Sequence, residues 1–426
     1  MATQINPPRG MRDFAPKEKA QRERILNVIR GSYKANGFDE IETPVMEEYA
    51  RLNSGVGGDN EKMSFNILRR KLTADEIRNS ETIEDIVDMG LRYDLTVPLA
   101  RFYASNKSEL PPVFRSLQIA PVWRAERPQK GRYRQFVQCD IDIIGEAGIL
   151  AEAELLTATV YTLDALGIEG WTIRVNDRRI LTSMLNGFGF AEDDQPSILI
   201  ALDKLDKLGR VGVITELRAL PLSEEAVSLL ISFLIRPYIP FEKRSWDELM
   251  IRDLLPINVD EVAVKELITL GQSLNILGEG TLVFDPFLVR GMGYYTGAIF
   301  EIAHKDLNYS LGGGGRYDGM IGKFLNVAVP AVGISLGFER IVDLAKDTSV
   351  PDPKAVILIY GNDTLMPQLM FIKQQLIAGG ARVRLERKTK NVTAVLNRSK
   401  DDGFTSFAFV KADIADAEQL VFKPLI

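Results

Sequence analysis

The segment Trp123–Gly145 (WRAERPQKGRYRQFVQCDIDIIG) holds the residues best spaced for chemistry. A loop carrying Arg124, Arg127, Lys130, Arg132 and Arg134 runs into an alternating stretch. Gln138, Asp140 and Asp142 share one face of that stretch, and Val137, Cys139 and Ile141 share the other, which is the period of a strand. A guanidinium offers a planar fork of donors that suits phosphate and stays charged at every working pH. A carboxylate on a half-buried strand needs a partner, because burying it unpaired is expensive. The segment therefore reads as a holder for a polyphosphate at one end and a small cationic or amphoteric ligand at the other. The plainer reading is a surface salt-bridge network beside a solvated strand face.

Three further places carry unusual chemistry. In LVRGMGYYTG, Arg290 is followed by Gly291 and Gly293, which permit close backbone approach, and by Tyr294 and Tyr295, read as adjacent hydroxyls on opposite strand faces. The plainer reading is a β-turn with aromatic core residues. Gly312–Gly315 lacks the G-K-[ST] of a phosphate loop and the spacing of a dinucleotide fingerprint, so it is expected to be a tight turn in a glycine-rich connection. Arg340 opens a predicted helix, FERIVDLAK, where a cation opposes the macrodipole at a cost of up to about 1 kcal/mol. A facing triphosphate would remove that conflict.

Composition narrows the mechanism. The chain has 426 residues, one histidine (His304) and one cysteine (Cys139). A Ser-His-Asp or Cys-His mechanism would have to pass through His304, which reads as an exposed bystander in a polar turn. Metal sites built on several His or Cys ligands are excluded. Chemistry must rest on Arg, carboxylates, Tyr and oxygen-bound metal ions. The net charge of −6 gives no global footprint for nucleic acid. A local one exists in Arg382, Arg384, Arg387, Lys388, Lys390, Arg398 and Lys400, which could meet RNA phosphates or simply form a solvated surface. No signal-peptide pattern is expected at the N-terminus, and no apolar run approaches the roughly 20 residues of a membrane span.

The elements that must position these residues are legible in outline. Residues 16–36 read as a helix starting at Pro16. GFDEIETPVMEE is extended, with Pro44 marking an edge strand or strand end. Residues 57–90 read as an irregular loop with a short helix, LRYDLTVPLARFYA as a turn entering a helix, 148–166 as a helix and WTIRVNDRR as a strand. From about 178 to 278 the pattern is that of a mostly helical insertion. The Pro/Asp run DTSVPDPKA marks a boundary, after which β-α-β-α-β alternation predicts a small α/β domain.

These segments resemble class II aminoacyl-tRNA synthetases, specifically the histidyl-tRNA synthetase family, over essentially the whole chain. GFDEIETPVMEE is similar to motif 1, WRAERPQKGRYRQF to motif 2 and VGISLGFERIV to motif 3. LVRGMGYYTGAIFE and GGGGRYDGM resemble the two segments specific to the histidine enzymes. The resemblance implies an α+β fold: an antiparallel sheet core flanked by helices, interrupted by the helical insertion, over residues 1–345. A shortened anticodon-binding α/β domain would occupy 346–426. It implies ligation of L-histidine to tRNA(His) through an adenylate, with ATP as substrate, Mg2+, a homodimer built partly on Pro44, and a cytoplasmic location. Arg124 and Arg290 would act at the α-phosphate, with Arg290 also reaching the histidine carboxylate. Glu126, Arg132 and Arg340 would contact ATP. Asp94, Thr96, Gln138, Asp142, Tyr294, Tyr295 and Tyr317 would surround histidine. Gly293 stands where the family usually has Asp, and Asp142 where many members have Glu. The competing expectation is a non-catalytic, histidine-sensing paralog that regulates histidine biosynthesis.

Overall fold

The computed structural model describes residues 5–53, 63–128, 131–236, 246–256, 258–274, 277–278, 281–290, 293–346 and 354–425. Lys130, Gly291 and the linker 347–353 lie outside them. The chain divides into two compact units, Met1–Arg12 with Ile25–Lys346, and Asp13–Arg24 with Asp347–Ile426.

An eight-stranded sheet organises the larger unit. Its spatial order is Asp39–Glu40, Phe114–Trp123, Gln135–Ile144, Ala331–Gly337, Gly312–Arg316, Ala298–His304, Trp171–Asp177 and Leu282–Phe284. Neighbours are antiparallel except at the two edges, where Asp39–Glu40 and Leu282–Phe284 each pair in parallel. Pro44 follows the Asp39–Glu40 edge strand and cannot donate to a ladder, so the chain leaves the sheet there. Cys139, Ile141 and Ile143 point into a core closed by Ile29 and Tyr33 of the Pro16–Ala35 helix and by Leu155 and Leu156 of the Leu150–Ala165 helix. The opposite face of the same strand carries Gln138, Asp140 and Asp142.

Two expectations change here. Gly312–Gly315 is not a turn but part of a central strand, paired on both sides. None of these glycines has a positive φ. Their small size serves close approach instead: a Cβ on Gly314 would stand 1.9 Å from the Gly333 carbonyl oxygen, and one on Gly312 2.3 Å from that of Ser335. Of the loop expected over 57–90, residues 57–62 lie outside the described residues, and 63–90 hold more regular structure than expected. Val87–Leu91 is the middle strand of a three-stranded antiparallel sheet, pairing with Phe65–Leu68 on one side and Met46–Glu48 on the other. The helix between them, Ala74–Asn79, is closed by a Thr73/Glu76 capping box. These strands are only three to five residues long, too short for a period of two to stand out in the sequence.

Between the Trp171–Asp177 and Leu282–Phe284 strands every described element is helical. Leu181, Met184, Leu185, Leu202, Leu217, Leu230 and Phe233 cluster together with Phe287, Leu288 and Ile299, while Ile251, Val264 and Leu267 of the later helices join the core of the sheet. In the smaller unit Ala355–Tyr360 lies between the parallel strands Arg382–Arg387 and Ser406–Val410, with helices Met366–Ala378 and Val392–Asp401 as crossovers. A short strand, Lys423–Pro424, pairs antiparallel at the edge. Among the described residues no helix is long and apolar enough to cross a membrane.

Gly314→Ala is expected to destabilise the larger unit by about 3 kcal/mol or more, because backbone rather than a movable side chain blocks the new methyl. Gly319→Ala, in the Asp318–Leu325 helix with open space around it, should stabilise by about 0.5 kcal/mol. Urea unfolding of both variants checks the contrast; equal midpoints would refute the account of the glycine strand.

Candidate active site

The polar face of the sheet opens into a cleft. Asp94, Thr96, Arg124, Arg132, Gln138, Asp142, Arg290, Tyr294, Tyr295, Tyr317 and Arg340 all line it. Glu126 does not; its carboxylate pairs with Arg132 Nε at 3.0 Å in the loop above. Elements from four parts of the chain converge. Gln138 and Asp142 ride on the Gln135–Ile144 strand, and Asp94 and Thr96 stand at the start of the Thr96–Asn106 helix. Tyr317 follows the glycine strand, and Arg340 lies in the Phe338–Val342 helix.

One region of the cleft is acidic. Asp94, Asp140 and Asp142 are all buried. Burial pushes the Asp94 carboxyl up to about 6, against backbone N–H groups of Val97 and Thr96 and the charge of Arg124, which favour ionisation. Burial likewise pushes Asp142 up to about 7, the Tyr317 hydrogen bond acting in the opposite direction. Asp140 is raised by burial and then by the charge of Asp142. The Tyr317 hydroxyl donates to Asp142 Oδ1 at 2.7 Å. Room for that carboxylate comes from Gly333 on the neighbouring strand, where a Cβ would stand 1.8 Å from Oδ1.

The adjoining region is basic. Burial and the mutual repulsion of Arg132, Arg290 and Arg124 lower the affinity of Arg340 for its proton. Each of these arginines is held through its guanidinium edge. Arg124 Nε donates to the Tyr93 carbonyl at 3.0 Å, and its guanidinium lies 5.0 Å from the Phe136 ring centroid. Arg340 donates to the Ser310 carbonyl and stacks over Tyr309. Arg290 Nη1 donates to Glu301 at 2.9 Å.

Among the described residues, Asp94 Oδ2, Gln138 Oε1 and Arg290 Nε are buried polar atoms of this cleft without a hydrogen-bond partner. Such atoms are rare in folded proteins, and together they outline a ligand that brings both donors and acceptors. A ligand with an ammonium group beside a carboxylate and a phosphate chain satisfies the whole set.

The pattern of the family described as "Histidyl-tRNA synthetase" matches residues 10–341. The chain belongs to the histidyl-tRNA synthetase family. It is 57% identical, over 100% of its own length and 99% of the other, to a protein from Leifsonia xyli subsp. xyli named histidine–tRNA ligase. A Tropheryma whipplei protein named probable histidine–tRNA ligase is 44% identical over 95% of this chain and 96% of its own. The crystal structure of histidyl-tRNA synthetase from Nostoc sp. PCC 7120 superposes with a TM-score of 0.77 at 27% identity, covering 99% of this chain and 95% of the other. A Bacillus halodurans structure titled an ATP phosphoribosyltransferase regulatory subunit/histidyl-tRNA synthetase shares the fold, with a TM-score of 0.74 at 22% identity over 96% and 98% of the two chains.

Within this synthetase-family cleft several sequence expectations need revision. Tyr294 and Tyr295 do not occupy opposite strand faces. The strand starts only at Ala298, and both rings turn into the cleft, edge to face at 4.8 Å between centroids. Gly293 is exposed without a positive φ, and a Cβ there would meet nothing within 4 Å, so an L side chain fits the turn. His304 ends a strand, half-buried, rather than sitting in a turn; its Nδ1 accepts the Asp306 N–H, and it does not line the cleft. Asp140 and Glu339 line the cleft without having been assigned a role. The alternation with Gln138 and Asp142 already put Asp140 on the right face. Glu339, beside Arg340, accepts from Arg12, a contact across the whole length of the unit that no local pattern reveals.

Tyr317→Phe removes the donor that keeps Asp142 partly ionised. Its titration should therefore move upward from about 7, as read by carbon-detected NMR of labelled Asp; a downward or absent shift would contradict the assigned hydrogen bond.

Proposed function

We infer that this protein ligates L-histidine to tRNA(His), with ATP as the second substrate, through a histidyl-adenylate. The reading rests above all on the polarity of the cleft, in which three buried carboxylates adjoin four arginines. The histidine ammonium is placed against Asp94 and Gln138, whose orphaned oxygens accept from it, with Thr96 beside them. Its imidazole N–H meets Asp142, already oriented by Tyr317, while Tyr294 and Tyr295 enclose the ring. A site built to pair both imidazole nitrogens rejects apolar amino acids by stranding its own polar groups.

The histidine carboxylate attacks the ATP α-phosphate in line and pyrophosphate leaves. The 3′-hydroxyl of the tRNA terminal adenosine then attacks the activated carbonyl and AMP leaves. No protein nucleophile is required, in keeping with a cleft that holds neither His304 nor Cys139. Arg124 and Arg290 stabilise charge gathering on the α-phosphate, and Arg340 holds the far end of the triphosphate. Arg132, paired to Glu126, brings the loop down on the nucleotide. Among the described residues no group of three carboxylate, His or Cys ligands could hold a metal. That donor set fits Mg2+ arriving on the phosphate oxygens with a carboxylate such as Glu339 nearby, rather than a resident ion.

The smaller unit is assigned to anticodon binding. Arg384 pairs with Asp402 and Glu386, and Arg387 bonds Asn362, so part of its basic cluster is structural. Lys388, Lys390 and Lys400 remain exposed for phosphate contact. A cytosolic homodimer is proposed, with exposed Val45 and Met46 beside Pro44 as apolar surface that such an interface would cover. A histidine-sensing regulator would have no use for Arg124, Arg132, Arg290 and Arg340 together in one cleft.

Histidine-dependent ATP–pyrophosphate exchange tests the proposal, and Arg290→Ala should reduce it by about 10²–10³-fold. Histidine binding without exchange would favour the sensing paralog. Because the Asp94 and Asp142 carboxyls titrate near 6 and 7, both become neutral on acidification and lose their hold on the ligand's ammonium and N–H. The kcat/KM for histidine should thus fall as pH drops from 7.5 to 5.5, and Asp142→Asn should flatten the upper part of that fall. A profile that rises toward acid would sink this assignment.

A further inference from the structure

A single row of residues crosses the sheet from the helical insertion to the acidic end of the cleft. Arg174 on the Trp171–Asp177 strand is directly opposite Glu301 on the Ala298–His304 strand. Glu301 is opposite Gly313, Gly313 opposite Ser335, and Ser335 opposite Asp140. Cross-strand partners share a face, so all five belong to the face that forms the cleft. At Gly313 the row has no side chain. A Cβ there would stand 2.8 Å from Arg290 Cζ, so the Arg290 guanidinium lies in the space that glycine leaves.

Glu301 is the anchor of that guanidinium. One carboxylate oxygen accepts from Arg290 Nη1 at 2.9 Å and the other from Arg174 Nη1 at 3.0 Å. Arg174 is itself clamped. It pairs with buried Asp285 and with Asp206, and its side chain is 11% exposed. Burial disfavours its charge, yet the surrounding acids hold it protonated well above the usual range. Asp206 lies near the start of the Leu205–Ala219 helix of the insertion, and the charge of neighbouring Asp203 also bears on Arg290 and Glu301.

We propose that Glu301 and Arg174 are positioning residues for Arg290, and that Asp206 makes the seating of the helical insertion part of that positioning. The chain of contacts is Asp206–Arg174–Glu301–Arg290, and its last member faces the reacting phosphate in the reading given above, on which this inference rests. Arg290 carries an unpartnered Nε, so Glu301 fixes where that donor points. Without Glu301 the guanidinium would be free to slide over Gly313, and a displacement on the order of 1 Å at such a group costs about 10²-fold in rate.

The test uses the full-length protein, with rates of adenylate formation normalised to active sites counted by burst titration. Glu301→Gln should lower that rate by about 10–100-fold while KM for histidine changes by less than about threefold. In an Arg290→Ala background the same substitution should cost no further activity, because residues that act through one another are not additive. Asp206→Asn should lower the rate by about 3–10-fold and add nothing to Glu301→Gln. Glu301→Asp, which keeps the charge, should recover part of the loss. A purely structural role would reduce the number of active sites and the melting temperature but leave the rate per site intact, and that result overturns the proposal. So does a Glu301→Gln loss that adds fully to Arg290→Ala. Should Arg290→Ala itself leave the rate unchanged, the role given to Arg290 falls first and takes the relay with it.

Discussion

Three carboxylates and four guanidinium groups line one cleft over a face of the sheet, and side chains on the strands beneath would leave Asp142 and Arg290 no room. The glycines of the Gly312–Arg316 strand and Gly333 beside it supply that room. Gly333 leaves space for Asp142, Gly313 leaves space for Arg290, and Gly314 lets the two strands lie flush. The charged groups then face a floor of backbone. Polar side chains rising from either flank meet over that floor rather than over a packed core. The cost is a central strand with almost no side chains on either face, and its support comes from pairing on both sides by longer apolar neighbours such as Ile299, Phe300 and Ile334.

Charge in the cleft is left unresolved by the protein alone. Burial opposes the ionisation of Asp94 and Asp142 and pushes their carboxyls up to about 6 and about 7, while the arginines repel one another. Three of these groups are restrained through contacts that do not neutralise them: a tyrosine hydroxyl on Asp142, backbone carbonyls on Arg124 and Arg340. Among the described residues Arg132 has Glu126 as a formal counter-ion and Arg290 has Glu301, and Glu301 is shared with Arg174. Geometry is thus set by hydrogen bonds, and most of the electrostatic attraction is kept for substrate.

The sequence was most informative where local pattern and chemistry coincided. The period-two run Gln138–Asp142 specified both a strand and which of its faces would be polar. The arginine loop before it signalled anions directly, whereas the helix expected to open at Arg340 is only Phe338–Val342 with Arg340 in its last turn, so the dipole conflict expected there is absent even though Arg340 does line the cleft. It was least informative where size, not polarity, carried the message. Gly312–Gly315 has the composition of a turn, and only the positions of Gly333 and Arg290, distant in sequence, reveal why a strand there must lack side chains. The small sheet around Val87–Leu91 was hidden for a different reason: its strands are partly exposed and only three to five residues long, too short for an alternation to stand out. Long-range pairs such as Arg12 with Glu339 and Arg174 with Asp285 leave no local trace at all.

His304 has a use that concerns observation rather than catalysis. It is the chain's one imidazole, and it lies at a strand end outside the cleft. A bound histidine therefore contributes the only other histidine imidazole in its complex with the protein, and isotope labels placed on it report free of overlap with a second histidine side chain in the cleft. Which nitrogen carries the proton beside Asp142, normally an assignment made by inference, becomes a quantity that nitrogen NMR of the ligand can read directly.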